Sequence, residues 1–240
     1  MDIYERQARI YPAIAGTIIP VILTLVFVFF YHSSGLLIGK LLVVRISMII
    51  PIALIYGALS YWIRQLFIDT SKLLFQYIFF KRDETEMPTT QMLLWSSPNR
   101  KSSQEIKVIA KKIRKDFNLI LLTEEQEREN PIEAQKTIVD AVGKIREVTR
   151  GNENLQQYNR KFGFCRNYLG ACVWSIGFII FVLILNFFFH LGFTTIILFA
   201  LLIQFLLGGW ALLTLRFKGE EYAKALFNAY ITETDYKNKK

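Results

Sequence analysis

Histidine and cysteine are scarce in this chain, and their positions exclude most kinds of catalytic centre. The 240 residues include two histidines, His32 and His190, and two cysteines, Cys165 and Cys172. The cysteines are seven residues apart, about 10 Å along a helix, which is too far for a disulfide, and no histidine joins them as a metal ligand. Phosphate loops, nucleophile elbows and zinc spacings are also missing. We therefore expect no enzyme, no catalytic residue, no metal and no cofactor.

Charge is nearly absent from two long stretches, which indicates a membrane protein. Apolar residues are concentrated at 12–62 and 169–215, whereas a soluble core would distribute them more evenly. Each stretch has room for two bilayer crossings of about 20 residues. We expect membrane spans at 13–31, 41–63, 169–189 and 193–215, joined in pairs by tight turns at 32–35 and 190–192.

The distribution of positive charge predicts the orientation of these spans. Of 29 Lys and Arg residues, only Lys40 and Arg45 lie between the ends of the paired spans, at 13–63 and 169–215, and cytoplasmic segments carry the excess of Lys and Arg. We expect both termini to be cytoplasmic, in the inner (cell) membrane of a bacterium. The predicted fold is an all-α membrane protein with four transmembrane helices in two hairpins and a helical cytoplasmic domain inserted between them. Its parts are an N-terminal segment with the first hairpin (1–63), the cytoplasmic domain (64–168), the second hairpin (169–216) and a cytoplasmic tail (217–240).

The predicted cytoplasmic domain contains clear helix start signals and one strongly basic helix. Ser102 to Glu105 matches a capping box, and apolar residues then recur at helical spacing up to Phe117. Asn130 and Pro131 indicate a second helix start. The other face of the first helix carries Lys107, Lys111, Lys112, Arg114 and Lys115. These cations suit a solvated face, lipid headgroups, a nucleotide or an oligonucleotide.

Several side chains within the predicted spans are unusual for a bilayer interior. Arg45 is either a snorkelling anchor or part of an ion path. Asn186 and Gln204 either join helices by hydrogen bonds or line a pore. Phe188, in a run of three phenylalanines, either faces lipid or forms an apolar constriction that gates by dewetting. The prolines Pro20 and Pro51 can kink their helices.

Three segments, at 9–13, 88–94 and 159–170, resemble a family of bacterial four-span membrane proteins. The positions that carry the resemblance are Arg9, Pro12, Pro88, Thr89, Thr90, Arg166 and Asn167. Such proteins look like the membrane effectors of nucleotide-signalled antiphage defence, such as the Hailong channel effectors. The resemblance implies a homo-oligomeric ion channel, a tetramer in that family. It would depolarise the cell under control of a nucleotide or oligonucleotide made by a partner nucleotidyltransferase. The alternative is a non-conducting membrane scaffold that recruits a cytoplasmic partner.

Overall fold

A computed structural model describes residues 3–33, 59–80 and 84–232, and within these ranges the chain is helical and contains no strand. Two of the eight described helices contain a π-helical segment. In α1, Ile3–Glu5 leads into the π-helical Arg6–Ile10 and then Tyr11–Ser33, and in α2, residues 59–70 lead into the π-helical Ser71–Gln76 and then Tyr77–Phe80. The others are α3 (Pro88–Gln91), α4 (Ser103–Phe117), α5 (Glu124–Glu129), α6 (Pro131–Val148), α7 (Glu153–Phe188) and α8 (Thr194–Thr232).

Among the described residues, three helical stretches are long and apolar enough to cross a membrane: Ile3–Phe27 of α1, Glu153–Phe188 and Thr194–Thr232. They indicate a membrane protein, as the two long apolar stretches of the sequence predict. Most of the predicted second span, 41–63, including Arg45 and Pro51, lies outside the described residues.

The described chain divides into two compact units. The first comprises Met1–Lys72 and Arg166–Leu212, and the second comprises Leu73–Cys165 and Leu213–Lys240. In the first unit, Leu23 of α1 packs with Ile179 of α7 and with Ile197 of α8. The rings of Phe27 and Phe193 meet edge to face with their centroids 4.7 Å apart. This packing joins α1 to the α7–α8 hairpin within the apolar region.

The second unit has a conventional buried core built from amphipathic helices. Its buried residues include Ile109 and Ile113 of α4, Ile138, Ala141 and Ile145 of α6, and Phe227 and Tyr230 of α8. The predicted capping box at Ser102 is present, and Thr123 forms a second one at the start of α5. Each box satisfies backbone N–H groups that the first helical turn leaves without partners.

One detail differs from the sequence-based expectations: helix α6 begins at Pro131 as expected, but the side chain of Asn130 makes no capping hydrogen bond.

Helix α8 continues through Gly219 and ends at Thr232, within the segment predicted as the tail. A Cβ atom at Gly219 would lie 3.2 Å from Pro88 and 3.4 Å from Phe162, so this glycine provides a close packing contact rather than a helix break.

A buried carboxylate fixes the loop that precedes α4. The side chain of Glu127 is 3% exposed, and its two oxygens accept hydrogen bonds from the backbone N–H groups of Trp95, at 3.0 Å, and Ser96, at 2.8 Å. The indole N–H of Trp95 donates to the carbonyl oxygen of Leu122 at 3.2 Å. The loop around Trp95 is thus attached to α5 and to the segment before it.

We expect Glu127→Gln to destabilise the second unit by about 1–3 kcal/mol, because the amide group places a donor against one of two backbone donors. Thermal unfolding of the purified protein, followed by tryptophan fluorescence, should show a lower Tm. Glu129→Gln removes the same charge from the exposed end of α5 and should leave the Tm close to that of the wild type. Equal Tm values for the two variants would contradict the proposed role of Glu127.

Candidate functional site

Asn167 joins three helices of the first unit through a buried pair of hydrogen bonds. Its Nδ2 donates to the carbonyl oxygen of Ala8 in α1 at 2.6 Å, and its Oδ1 accepts from the hydroxyl of Ser71 in α2 at 3.0 Å. Asn167, Ser71 and Ala8 are all almost completely buried. One α7 side chain therefore satisfies polar groups on two other helices, which hydrocarbon could not do.

Both partners of Asn167 belong to π-helical segments. Ala8 lies in the middle of Arg6–Ile10, and Ser71 is the first residue of Ser71–Gln76. A π-helical turn contains an extra residue, alters the local pairing of backbone groups and occurs frequently at functional sites. The sequence indicated neither π-helix, because neither segment contains a proline or a glycine.

Small residues beside Asn167 bring the helix backbones close together. A methyl group on Gly170 would overlap the carbonyl oxygen of Phe67 in α2, and one on Gly16 in α1 would overlap the side chain of Ala171. The hydroxyl of Ser175 donates to the carbonyl oxygen of Gly16. Asn167, Gly170, Ala171 and Ser175 form a stripe of small and polar residues on one face of α7, of the kind that allows close helix contacts in membranes.

The other family-like positions lie in two different environments. Pro12 is buried in α1, and the guanidinium of Arg9 lies 5.9 Å from the centre of the Tyr4 ring. Arg166 precedes Asn167 on α7 and is partly buried. Pro88, Thr89 and Thr90 are buried in the second unit, as α3.

An ion pair in the second unit explains why the α3 threonines are buried. Arg146 of α6 pairs with the carboxylate of Glu84 at 2.8 Å and also donates to the hydroxyl of Thr89 at 3.4 Å. The hydroxyl of Thr90 donates to the carbonyl oxygen of Glu84 at 2.8 Å, and Glu84 has a φ of 57°. Sequence spacing does not indicate this pair, because Glu84 and Arg146 are 62 residues apart.

The two intramembrane amides are buried within the single chain. Asn186 accepts from the backbone N–H of Phe193 and donates to the hydroxyl of Thr194, both at 2.9 Å, so it closes the α7–α8 turn. Gln204 is 0% exposed and donates from Nε2 to the sulfur of Cys172 at 3.2 Å. Its Oε1 has no hydrogen-bond partner among the described residues. Their burial favours the helix-joining alternative over pore lining, whereas Phe188 is 71% exposed at the end of α7.

The basic face of α4 is largely accessible. Lys107, Lys111, Arg114 and Lys115 are exposed, and Lys112 lies 5.1 Å from the centre of the Tyr230 ring. Within the described ranges, no carboxylate forms an ion pair with Lys107, Lys111 or Arg114. Hydrogen bonds from Lys101 and Ser102 lower the pKa of Glu105 to about 2, so the capping carboxylate at the start of α4 is ionised at neutral pH.

The described residues contain no group of three or more His, Cys, Asp or Glu suited to a metal ion.

We expect Gly170→Ala to destabilise the first unit by about 1–3 kcal/mol, because the new methyl group meets backbone atoms that cannot rotate away. Gly177→Ala is the matched control, since Gly177 lies on the same helix and a Cβ there meets nothing within 4 Å. The Tm of each variant in detergent should fall for the first and stay level or rise for the second. A Tm of Gly170→Ala equal to that of the control would show that the close approach does not hold these helices together.

No family model, curated protein or solved structure matches this chain.

Proposed function

We propose that the protein is an oligomeric membrane effector that conducts ions across the bacterial inner membrane and acts by depolarising it. A nucleotide or oligonucleotide controls it through the middle of the chain, which lies in the cytoplasm as a domain inserted between two hairpins. The observation that carries the proposal is the large uncovered surface of its apolar helices. In the single chain, 22%, 39% and 22% of the most apolar stretches of the three candidate spans are buried.

Uncovered apolar surface requires lipid or further copies of the chain. Large side chains such as Phe181, Phe199 and Leu213 are exposed along α7 and α8. Lipid can cover all of this surface, but the three candidate spans among the described residues are too sparsely packed to enclose a pathway for ions. Conduction therefore requires several copies, and the tetramer implied by the resemblance would supply them. Phe187, Phe188 and Phe189 are exposed at the end of α7, where rings from several copies would form an apolar constriction that gates by dewetting.

The basic face of α4 supports control by an anionic ligand. Phosphate groups bind through charge more than through sequence, and Lys107, Lys111 and Arg114 have no carboxylate partner among the described residues. A partner nucleotidyltransferase, as the resemblance implies, would make the ligand. The ligand then changes the balance between closed and conducting states by binding one of them more tightly.

A non-conducting membrane scaffold is the second candidate. It is favoured by the burial of Asn186 and Gln204, which leaves neither amide at the surface where subunits would meet. The second unit also exposes Ile120 and Ile132, which a recruited cytoplasmic partner could cover. Such a protein would copurify with a stoichiometric partner and leave the membrane potential of expressing cells unchanged.

Recordings from the purified protein in planar bilayers test the proposal directly. We expect discrete single-channel currents whose open probability changes when a nucleotide or a short oligonucleotide is added to the side that corresponds to the cytoplasm. A well-folded oligomer that stays silent with and without these ligands would contradict channel function and favour the scaffold.

The Phe188 constriction predicts a specific change in conductance. Phe188→Ala should raise the unitary conductance or the resting leak by about twofold or more, because a smaller ring of side chains lowers the dewetting barrier. Phe199→Ala removes an equally exposed ring from α8 and should leave both values unchanged. An unchanged conductance in both variants would place the Phe188 ring against lipid.

A further inference from the structure

Two prolines in α1 each leave one backbone carbonyl without its usual donor. In an α-helix, the carbonyl oxygen of each residue accepts a hydrogen bond from the N–H of the residue four positions later. Pro12 stands four positions after Ala8, and Pro20 stands in the same relation to Gly16. Proline has no N–H, so neither carbonyl receives its α-helical hydrogen bond. We call the carbonyl oxygens of Ala8 and Gly16 the proline-freed carbonyls.

Two side chains of α7 donate to the proline-freed carbonyls. The Nδ2 of Asn167 donates to the carbonyl oxygen of Ala8 at 2.6 Å, and the hydroxyl of Ser175 donates to that of Gly16. Both side chains are 2% exposed, so these hydrogen bonds are made inside the protein. They replace the donors that α1 itself lacks, at positions where hydrocarbon would supply none.

The donors on α7 and the acceptors on α1 have the same spacing. Ala8 and Gly16 are eight residues apart, and so are Asn167 and Ser175. Eight residues correspond to about 12 Å of helix, and both bonds follow the same chain direction, so α1 and α7 run parallel where both bonds form. Ala171 lies midway between the two donors, and its side chain occupies the place that a Cβ atom on Gly16 would take.

The prolines and the freed carbonyls lie on the buried face of α1. Ala8, Pro12, Gly16 and Pro20 recur every four residues, and all four are buried. Large apolar side chains on other faces of the same helix are exposed, among them Ile14, Ile18 and Val21. The proline positions identify in the sequence which carbonyls lose a donor, but not which side chains replace it.

We propose that Asn167 and Ser175 form a two-point latch by which α7 recognises α1 through its proline-freed carbonyls. The latch fixes the register of the two helices. After a shift of one helical turn, both donors would face carbonyls that have a helical N–H donor, and both freed carbonyls would have none. An α1 helix that left α7 within the bilayer would likewise expose two unsatisfied carbonyl oxygens at once. The latch does not depend on whether the protein conducts ions.

Double-mutant cycles test the latch, because alanine in place of proline returns the missing N–H. The measurement is reversible unfolding of the full chain in mixed detergent micelles, followed by tryptophan fluorescence. Ser175→Ala should raise the unfolding equilibrium constant by about tenfold or more, because the carbonyl of Gly16 loses its donor. In a Pro20→Ala background, the same change should raise it by about threefold or less, because that carbonyl has regained its helical donor.

The second cycle combines Asn167→Ala with Pro12→Ala and should show the same coupling. Asn167 also accepts from Ser71, but that bond is lost in both backgrounds and cancels from the cycle. If Asn167→Ala alone does not fold, recovery of folded protein in the Pro12→Ala background supports the latch, and no recovery counts against it.

A mismatched cycle is the control, since it uses the same single substitutions in another combination. Pro20 lies twelve residues beyond Ala8, about 18 Å along α1, so the effects of Asn167→Ala and Pro20→Ala should combine additively within about twofold. A matched pair whose effects are additive removes that point from the latch. Additivity in both matched pairs, or equal coupling in the mismatched pair, overturns the proposal. These cycles measure stability alone, so their outcome is independent of the planar bilayer recordings that test the proposed function.

Discussion

Hydrocarbon supplies no hydrogen-bond partner, and this constraint determines how the polar groups of the first unit are arranged. Every polar side chain that the apolar helices bury therefore has to find its partner inside the protein. Asn167 pairs with Ala8 and Ser71, and Ser175 pairs with the carbonyl oxygen of Gly16. These contacts require helix backbones to approach closely, and Gly16 and Gly170 make the approach possible. The polar and the small residues on α7 thus depend on each other.

Gln204 shows where this constraint is only half satisfied. Its Nε2 donates to the sulfur of Cys172, a weak acceptor, and its Oε1 has no partner in the described part of the chain. An amide buried in this way costs free energy that an apolar side chain of the same size would not. Helix-joining amides are often kept in membranes for the specificity of the contact rather than for its strength, and α7–α8 register is the property that Gln204 would specify.

Sequence patterns correctly predicted the features that depend on residues close together in the sequence. The capping box at Ser102, the apolar face of α4 and the long apolar helices follow from local chemistry and from periodicity, and the structure contains them. Contacts between distant residues were not predictable in the same way. Neither the Glu84–Arg146 ion pair nor the bonds of Asn167 to two π-helical segments leaves a trace in spacing or composition.

The turn closed by Asn186 has a consequence for the order in which the chain folds. Its bonds join residues seven and eight positions apart, whereas the bond from Asn167 to Ala8 spans 159 positions. Short loops close at a smaller entropic cost and faster than long ones. The α7–α8 hairpin can therefore form as soon as both helices are synthesised, while α1, which is synthesised before them, has to wait for Asn167. Until Asn167 is synthesised, the carbonyl oxygen of Ala8 lacks the partner that it has in the folded chain.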